Sequence, residues 1–144
     1  MHTYIHKVWY YETDQMGITH HSNYIRWMEE ARIDFLETIG CGYARLERDG
    51  IISPVIGVEC RYKHPTTFGD EVKIMVGVDE FKGARLVIAY TMTNAATDEL
   101  VLTGKTTHCF TDANGKPILL KKQFPEFDGV LRKLSDNQNI DCGI

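Results

Sequence analysis

Between Asn23 and Ile39 the apolar residues Tyr24, Trp27, Met28, Ala31, Phe35 and Ile39 recur at steps of three and four. Arg26, Glu29, Glu30, Arg32 and Glu37 fall mostly on the other side, so the segment predicts an amphipathic helix. Ser22 or Asn23 can cap its start, and Gly40 and Gly42 can end it. A short second helix is predicted over Tyr43 to Arg48. After Gly50 the period changes to two. Ile56, Val58, Cys60 and Tyr62 alternate with charged neighbours, as do Val72, Ile74, Val76 and Val78. Leu86, Ile88, Tyr90 and Met92 mark a further strand, and Leu100 to Phe110 another, separated by the turn signals "FKGA" and "NAATDE". With an N-terminal strand over Thr3 to Tyr10, the order is strand, long helix, then four strands on short links.

Short links make neighbouring strands antiparallel, because a parallel crossover needs a dozen or more residues. One helix with one apolar stripe and strands with one apolar face each are buried together if a curved sheet wraps the helix, an α+β arrangement. Such a sheet has two open edges, and pairing with a second copy of the chain is a common way to cover one. The expectation is at least a dimer. The polar stretch "KLSDNQNIDCGI" shows no period and reads as a frayed tail, which gives a domain over residues 1–132 and a tail over 133–144.

Composition narrows the functional classes. At 144 residues, 43% of them hydrophobic, the chain suits one domain with a true core. A net charge of -4 with scattered Lys and Arg gives no basic stripe for nucleic acid. No run of about 18 apolar residues occurs, and the start "MHTYIHKVWYYE" lacks the pattern of a secretory signal, so a cytoplasmic protein without membrane insertion is expected. Four widely spaced cysteines, Cys41, Cys60, Cys109 and Cys142, read as reduced thiols rather than a disulfide framework or metal ligands. No metal site is expected.

Chemistry concentrates where the first strand gives way to the helix, in "TDQMGITHHSN". Asp14 is a carboxylate in a loop, a residue type that more often forms turns. The first amides of the following helix have no partners within it and carry the positive end of its dipole, so the backbone around His21 and Ser22 can receive developing negative charge. Gly17 permits a tight backbone or the close approach of a ligand. Tyr24 has the spacing of a core residue, although it stands one turn from the loop.

The run "YYETDQMGITHHSNYIRWMEEAR" resembles the hallmark of hotdog-fold acyl-CoA thioesterases of the 4-hydroxybenzoyl-CoA thioesterase family, such as the Tol-Pal-associated members. The likeness lies in the order and spacing of an aromatic strand, Thr-Asp, Gly, His and Asn-Tyr opening the helix. "RYKHPTTFGDEVKI", with Pro65 and Asp70, extends the resemblance, which runs from Val8 to about Asp112. It implies a hotdog fold, a long central helix wrapped by a five-stranded antiparallel sheet, in homodimers or homotetramers. It also implies hydrolysis of an acyl-CoA to free acid and CoA without a cofactor. Asp14 matches the family's catalytic carboxylate, acting as nucleophile or general base, and His21 matches the position whose backbone N–H polarises the carbonyl. Pro54 and Val55 of a partner copy would wall the acyl pocket, and Lys82 and Arg85 around "FKGAR" resemble a basic hairpin that meets CoA phosphates. Gln15, Met16 and Thr19 fall where family members vary, which bears on acyl specificity. Two other functions suit the same scaffold: a hydroxyacyl thioester dehydratase using Asp14 and His21, and a non-catalytic acyl-CoA binding module.

Overall fold

The computed structural model describes residues 1–142, with side chains as far as residue 137. In chain order the elements are β1 (His2–Lys7), a single 3-10 turn (Tyr10–Glu12), α1 (Ser22–Thr38), α2 (Tyr43–Arg48), β2 (Val55–Tyr62), β3 (Glu71–Phe81), β4 (Arg85–Asn94), β5 (Leu100–Cys109), α3 (Leu120–Gln123) and α4 (Pro125–Cys142). The strands form one five-stranded sheet in the order β1-β3-β4-β5-β2. β1 lies antiparallel to β3, with His6 opposite Val72 and His2 opposite Val76. The α+β arrangement of a long helix and a five-stranded antiparallel sheet is therefore as the sequence pattern predicts.

α1 buries the stripe read from the sequence: Tyr24, Trp27, Met28, Ala31 and Phe35. It ends in a Schellman motif, with Cys41 N–H donating to Leu36 C=O at 2.9 Å and Gly40 N–H to Glu37 C=O at 3.1 Å. Gly40 sits at φ +83°, where a side chain would be strained.

Contacts gather the chain into two compact units. The first comprises Met1–Phe35, Cys60–Val76 and Tyr90–Gly104, and its core includes Trp27, Met28, Ile74, Tyr90, Met92 and Leu102. The second comprises Leu36–Glu59, Gly77–Ala89 and the chain from Lys105 onward. Its core holds a run of edge-to-face rings, Phe81 on Phe110 at 6.4 Å, Phe110 on Phe127 at 6.0 Å and Phe124 on Phe127 at 5.7 Å.

Three expectations are corrected. The first strand stops at Lys7 rather than Tyr10, because the Glu12 side chain captures the Trp9 N–H at 2.8 Å and bends the chain into the 3-10 turn. The alternation of β2 does not bury a face: Val55, Ile56, Val58 and Tyr62 are all exposed, on a strand at the end of the sheet order. The stretch read as a frayed polar tail from residue 133 is helical through Cys142, as the second half of α4. That helix is seated by Phe127, Leu131 and Ser135, buried at successive steps of four, so its inward stripe includes a serine. The last two residues of that stretch lie outside the described residues.

Candidate active site

The loop between the 3-10 turn and α1 is a tight hairpin. Thr13 and Thr19 form a bridge across it, and within it Asp14 N–H donates to Ile18 C=O at 2.9 Å. Gly17 N–H donates to Asp14 C=O at 3.0 Å, closing the turn Asp14-Gln15-Met16-Gly17. Gly17 takes φ +79°, the left-handed residue that lets such a turn rejoin its strands. The Asp14 carboxylate accepts the Met16 N–H through Oδ1 at 2.8 Å, which fixes its direction while leaving the residue half-exposed. The turn-forming role of Asp14 is thus real, and it orients the carboxylate.

Both ends of the hairpin are anchored within the first unit. On the far side Thr19 N–H donates to Thr66 C=O at 2.8 Å and the two threonine hydroxyls meet at 2.6 Å. The buried Tyr24 hydroxyl reaches Thr66 Oγ1 at 3.1 Å, so Tyr24 is a core residue whose polar end braces the loop. On the near side Glu12 C=O accepts His20 N–H at 2.8 Å and Asn23 Nδ2 at 2.9 Å, tying the loop to the first turn of α1.

The start of α1 is divided between local partners and an open donor. His20 Nδ1 receives the Ser22 N–H at 3.2 Å and lies 2.8 Å from Ser22 Oγ, so the exposed His20 caps the helix. Asn23 N–H donates to His20 C=O at 3.0 Å. No acceptor among the described residues meets the His21 N–H. The exposed His21 ring stacks on His20 at 4.4 Å and turns its edge toward Tyr62. Of the two amides expected to polarise a carbonyl, that of Ser22 is engaged and that of His21 is open.

Asp14, Gly17, His21 and Tyr24 are therefore brought together on one hairpin and the helix it feeds. Pro54, half-buried, and Val55, exposed, belong to the second unit at the start of β2. Lys82 and Arg85 are exposed in the second unit on the β3–β4 turn, closed by Lys82 N–H to Arg85 C=O at 3.0 Å, and the Lys82 ammonium pairs with Glu80 at 3.0 Å. Among the described residues no cluster of His, Cys, Asp and Glu has the arrangement of a metal site, and no helix is long and apolar enough to cross a membrane.

Sequence reasoning missed the side chains beneath the loop. Glu12, 5% exposed, accepts His6 Nε2 at 2.9 Å and Trp9 N–H at 2.8 Å through Oε1, and Trp27 Nε1–H at 2.7 Å through Oε2. Burial alone would raise the Glu12 carboxyl; hydrogen bonds from the Trp9 N–H, His6 and Trp27 outweigh it and hold the group below its ordinary value. A glutamate two residues before Asp14 was the signal available, but its partners come from β1 and α1 and only the fold joins them.

The fold and comparison with known proteins together define a thioesterase of the hotdog class. The family profile of the thioesterase-like superfamily matches residues 8–134, and the chain belongs to that superfamily. The DHNA-CoA thioesterase of Staphylococcus aureus superposes with a TM-score of 0.91 at 33% identity, over 96% of this chain and 93% of its own. The Bacillus subtilis protein YneP, provisionally named an acyl-CoA thioesterase, is 34% identical over 88% of this chain and 92% of its own. A hypothetical protein of Aquifex aeolicus superposes with a TM-score of 0.81 at 32% identity, over 88% of this chain and 98% of its own.

Proposed function

We propose that the chain hydrolyses the thioester of an acyl-CoA, giving the free acid and CoA. Asp14 supplies the carboxylate that attacks the carbonyl carbon or takes a proton from the attacking water. The open His21 N–H, at the positive end of α1, receives the charge that develops on the carbonyl oxygen. The observation that carries this reading is the pairing, on one anchored loop, of an oriented carboxylate with a helix-start amide that has no acceptor among the described residues. The names of the Staphylococcus and Bacillus relatives support CoA as the thiol. Lys82 and Arg85 are the cations assigned to its phosphates, with Pro54 and Val55 of a partner copy assigned to the acyl wall. A second copy of the chain covers the exposed apolar residues of β2, making the working enzyme a homodimer or a pair of dimers in the cytoplasm. Sedimentation of the purified chain as a monomer at micromolar concentration would refute that assembly.

The test is thiol release from a panel holding DHNA-CoA, 4-hydroxybenzoyl-CoA and straight-chain acyl-CoAs, with wild type and Asp14→Asn. Loss of the carboxylate is expected to lower kcat by at least about a hundredfold. Unchanged turnover sinks the assignment. An enoyl product without free thiol would establish a dehydratase instead, and thermal stabilisation by acyl-CoA with no turnover a binding module.

A further inference from the structure

Five buried or half-buried groups converge beneath the hairpin. His6 on β1 places Nε2 2.9 Å from Glu12 and Nδ1 2.9 Å from Glu30 of α1. Its ring lies against Trp27 at a centroid distance of 4.4 Å, and Trp27 donates to the second oxygen of Glu12. Tyr4 OH donates to the same Glu30 oxygen at 3.1 Å. The backbone of Glu12 then holds both sides of the reacting region: it lies two residues before Asp14, and its C=O takes His20 N–H and Asn23 Nδ2, which flank His21.

We infer that Glu12, held by His6, is a positioning residue for thioester hydrolysis, setting the Asp14 carboxylate and the His21 N–H at the separation the reaction needs. The inference rests on the function proposed above. Hydrogen-bond inventory shows how demanding the arrangement is. Glu12 receives three donors on two oxygens, a set only an ionised carboxylate satisfies, since an amide would turn its NH2 against at least one of them. His6 faces carboxylate oxygens at both ring nitrogens, and a neutral imidazole has one N–H to offer. Both contacts are hydrogen bonds only while the three side chains together hold one proton beyond that of a neutral ring. Without that proton a nitrogen lone pair faces a carboxylate oxygen, and one side of the brace loosens.

The charged and titratable surroundings are few. Glu12 faces His6 from the turn, Glu30 faces it from α1, and Tyr4 reaches Glu30 from β1. His2 and Asp34 pair further along β1 and α1. On β3, Val72 stands opposite His6, while Glu71 and Lys73 stand opposite Lys7 and Ile5, the positions that alternate to the other face.

The experiment compares wild type, Glu12→Gln, Glu30→Gln and Asp14→Asn in steady-state hydrolysis from acid to alkaline pH, each checked for cooperative melting. Glu12→Gln is expected to lose about 10- to 100-fold in kcat while KM stays within about threefold, the mark of misplaced reacting groups rather than lost binding. Glu30→Gln is expected to change the pH profile of kcat relative to wild type, because an amide can accept from a protonated Nδ1 or donate to a bare one. A folded Glu12→Gln enzyme with wild-type kcat overturns the inference, as does a Glu30→Gln profile that overlays the wild type. If Glu12→Gln does not fold, the Glu30→Gln profile decides. Full turnover by Asp14→Asn would instead refute the underlying assignment of the site, whatever the other two variants do.

Discussion

Replacing Gly17 with alanine separates two reasons for having glycine in the loop. Gly17 holds φ +79°, and a Cβ built there meets no atom within 4 Å, so the substitution adds no clash inside the protein. The remaining cost is that of a left-handed backbone for an L residue, about 1–2 kcal/mol. For a chain of this size each kcal/mol lowers Tm by about 2–4 °C, so a fall of about 2–8 °C is expected if the turn keeps its shape. A turn that relaxes instead gives up the Gly17 to Asp14 hydrogen bond and the Met16 contact to the Asp14 carboxylate, and the loss then appears in kcat. Gly17→Asn completes the comparison, because asparagine tolerates the left-handed region. Calorimetry and acyl-CoA kinetics on both variants decide the matter. If the backbone is the reason, asparagine restores most of the stability and activity lost with alanine. If room for a ligand is the reason, both variants raise KM together. An alanine variant with wild-type Tm and kcat would refute the argument from the backbone.

Other outcomes follow from particular side chains. Leu131→Ala in α4, at a site with 0% exposure, is expected to cost about 2–5 kcal/mol in urea unfolding; a loss below about 1 kcal/mol would show that α4 is not seated as described. Because the Glu12 carboxyl is held below its ordinary value in the folded protein, its contribution is present above the unfolded value near 4.5 and disappears as pH falls through the lower folded one. Glu12→Gln should therefore lose less stability than wild type between pH 6 and the acid limit, and equal losses would contradict the hydrogen-bonded carboxylate. Burial pushes the Cys41 thiol up to about 11, against an ordinary 9.0, so near pH 8 it holds about a hundredfold less thiolate. Alkylation followed by mass spectrometry should label the half-buried Cys109 well before Cys41.

The elements legible in the sequence were those whose period is a direct image of burial. α1 and strands β3 and β4 face a core along one stripe or face, and their residues alternate accordingly. β2 shows where that logic stops: its alternation is present, but within one chain the apolar side chains stay exposed, because nothing in the described chain lies over them. α4 was illegible for the opposite reason, since Asp128 and Ser135 occupy buried positions on its inward side. Asp128 is compensated by Arg132, whose Nε donates to it at 2.6 Å, a pairing that hydropathy does not register. At the candidate site, Asp14, Gly17 and His21 could be proposed from the sequence because they are neighbours along the chain. The brace beneath them could not, because His6, Glu12 and Trp27 are joined only by folding.

The hairpin is fastened at Glu12 and again at Thr19, and between those points Gln15 and Met16 stand exposed at its apex. Inheritance can therefore act on the two parts separately. Substitutions at the apex change what the loop shows to an incoming molecule while the fastenings keep its place, so a lineage could trade one substrate for another without first rebuilding the scaffold.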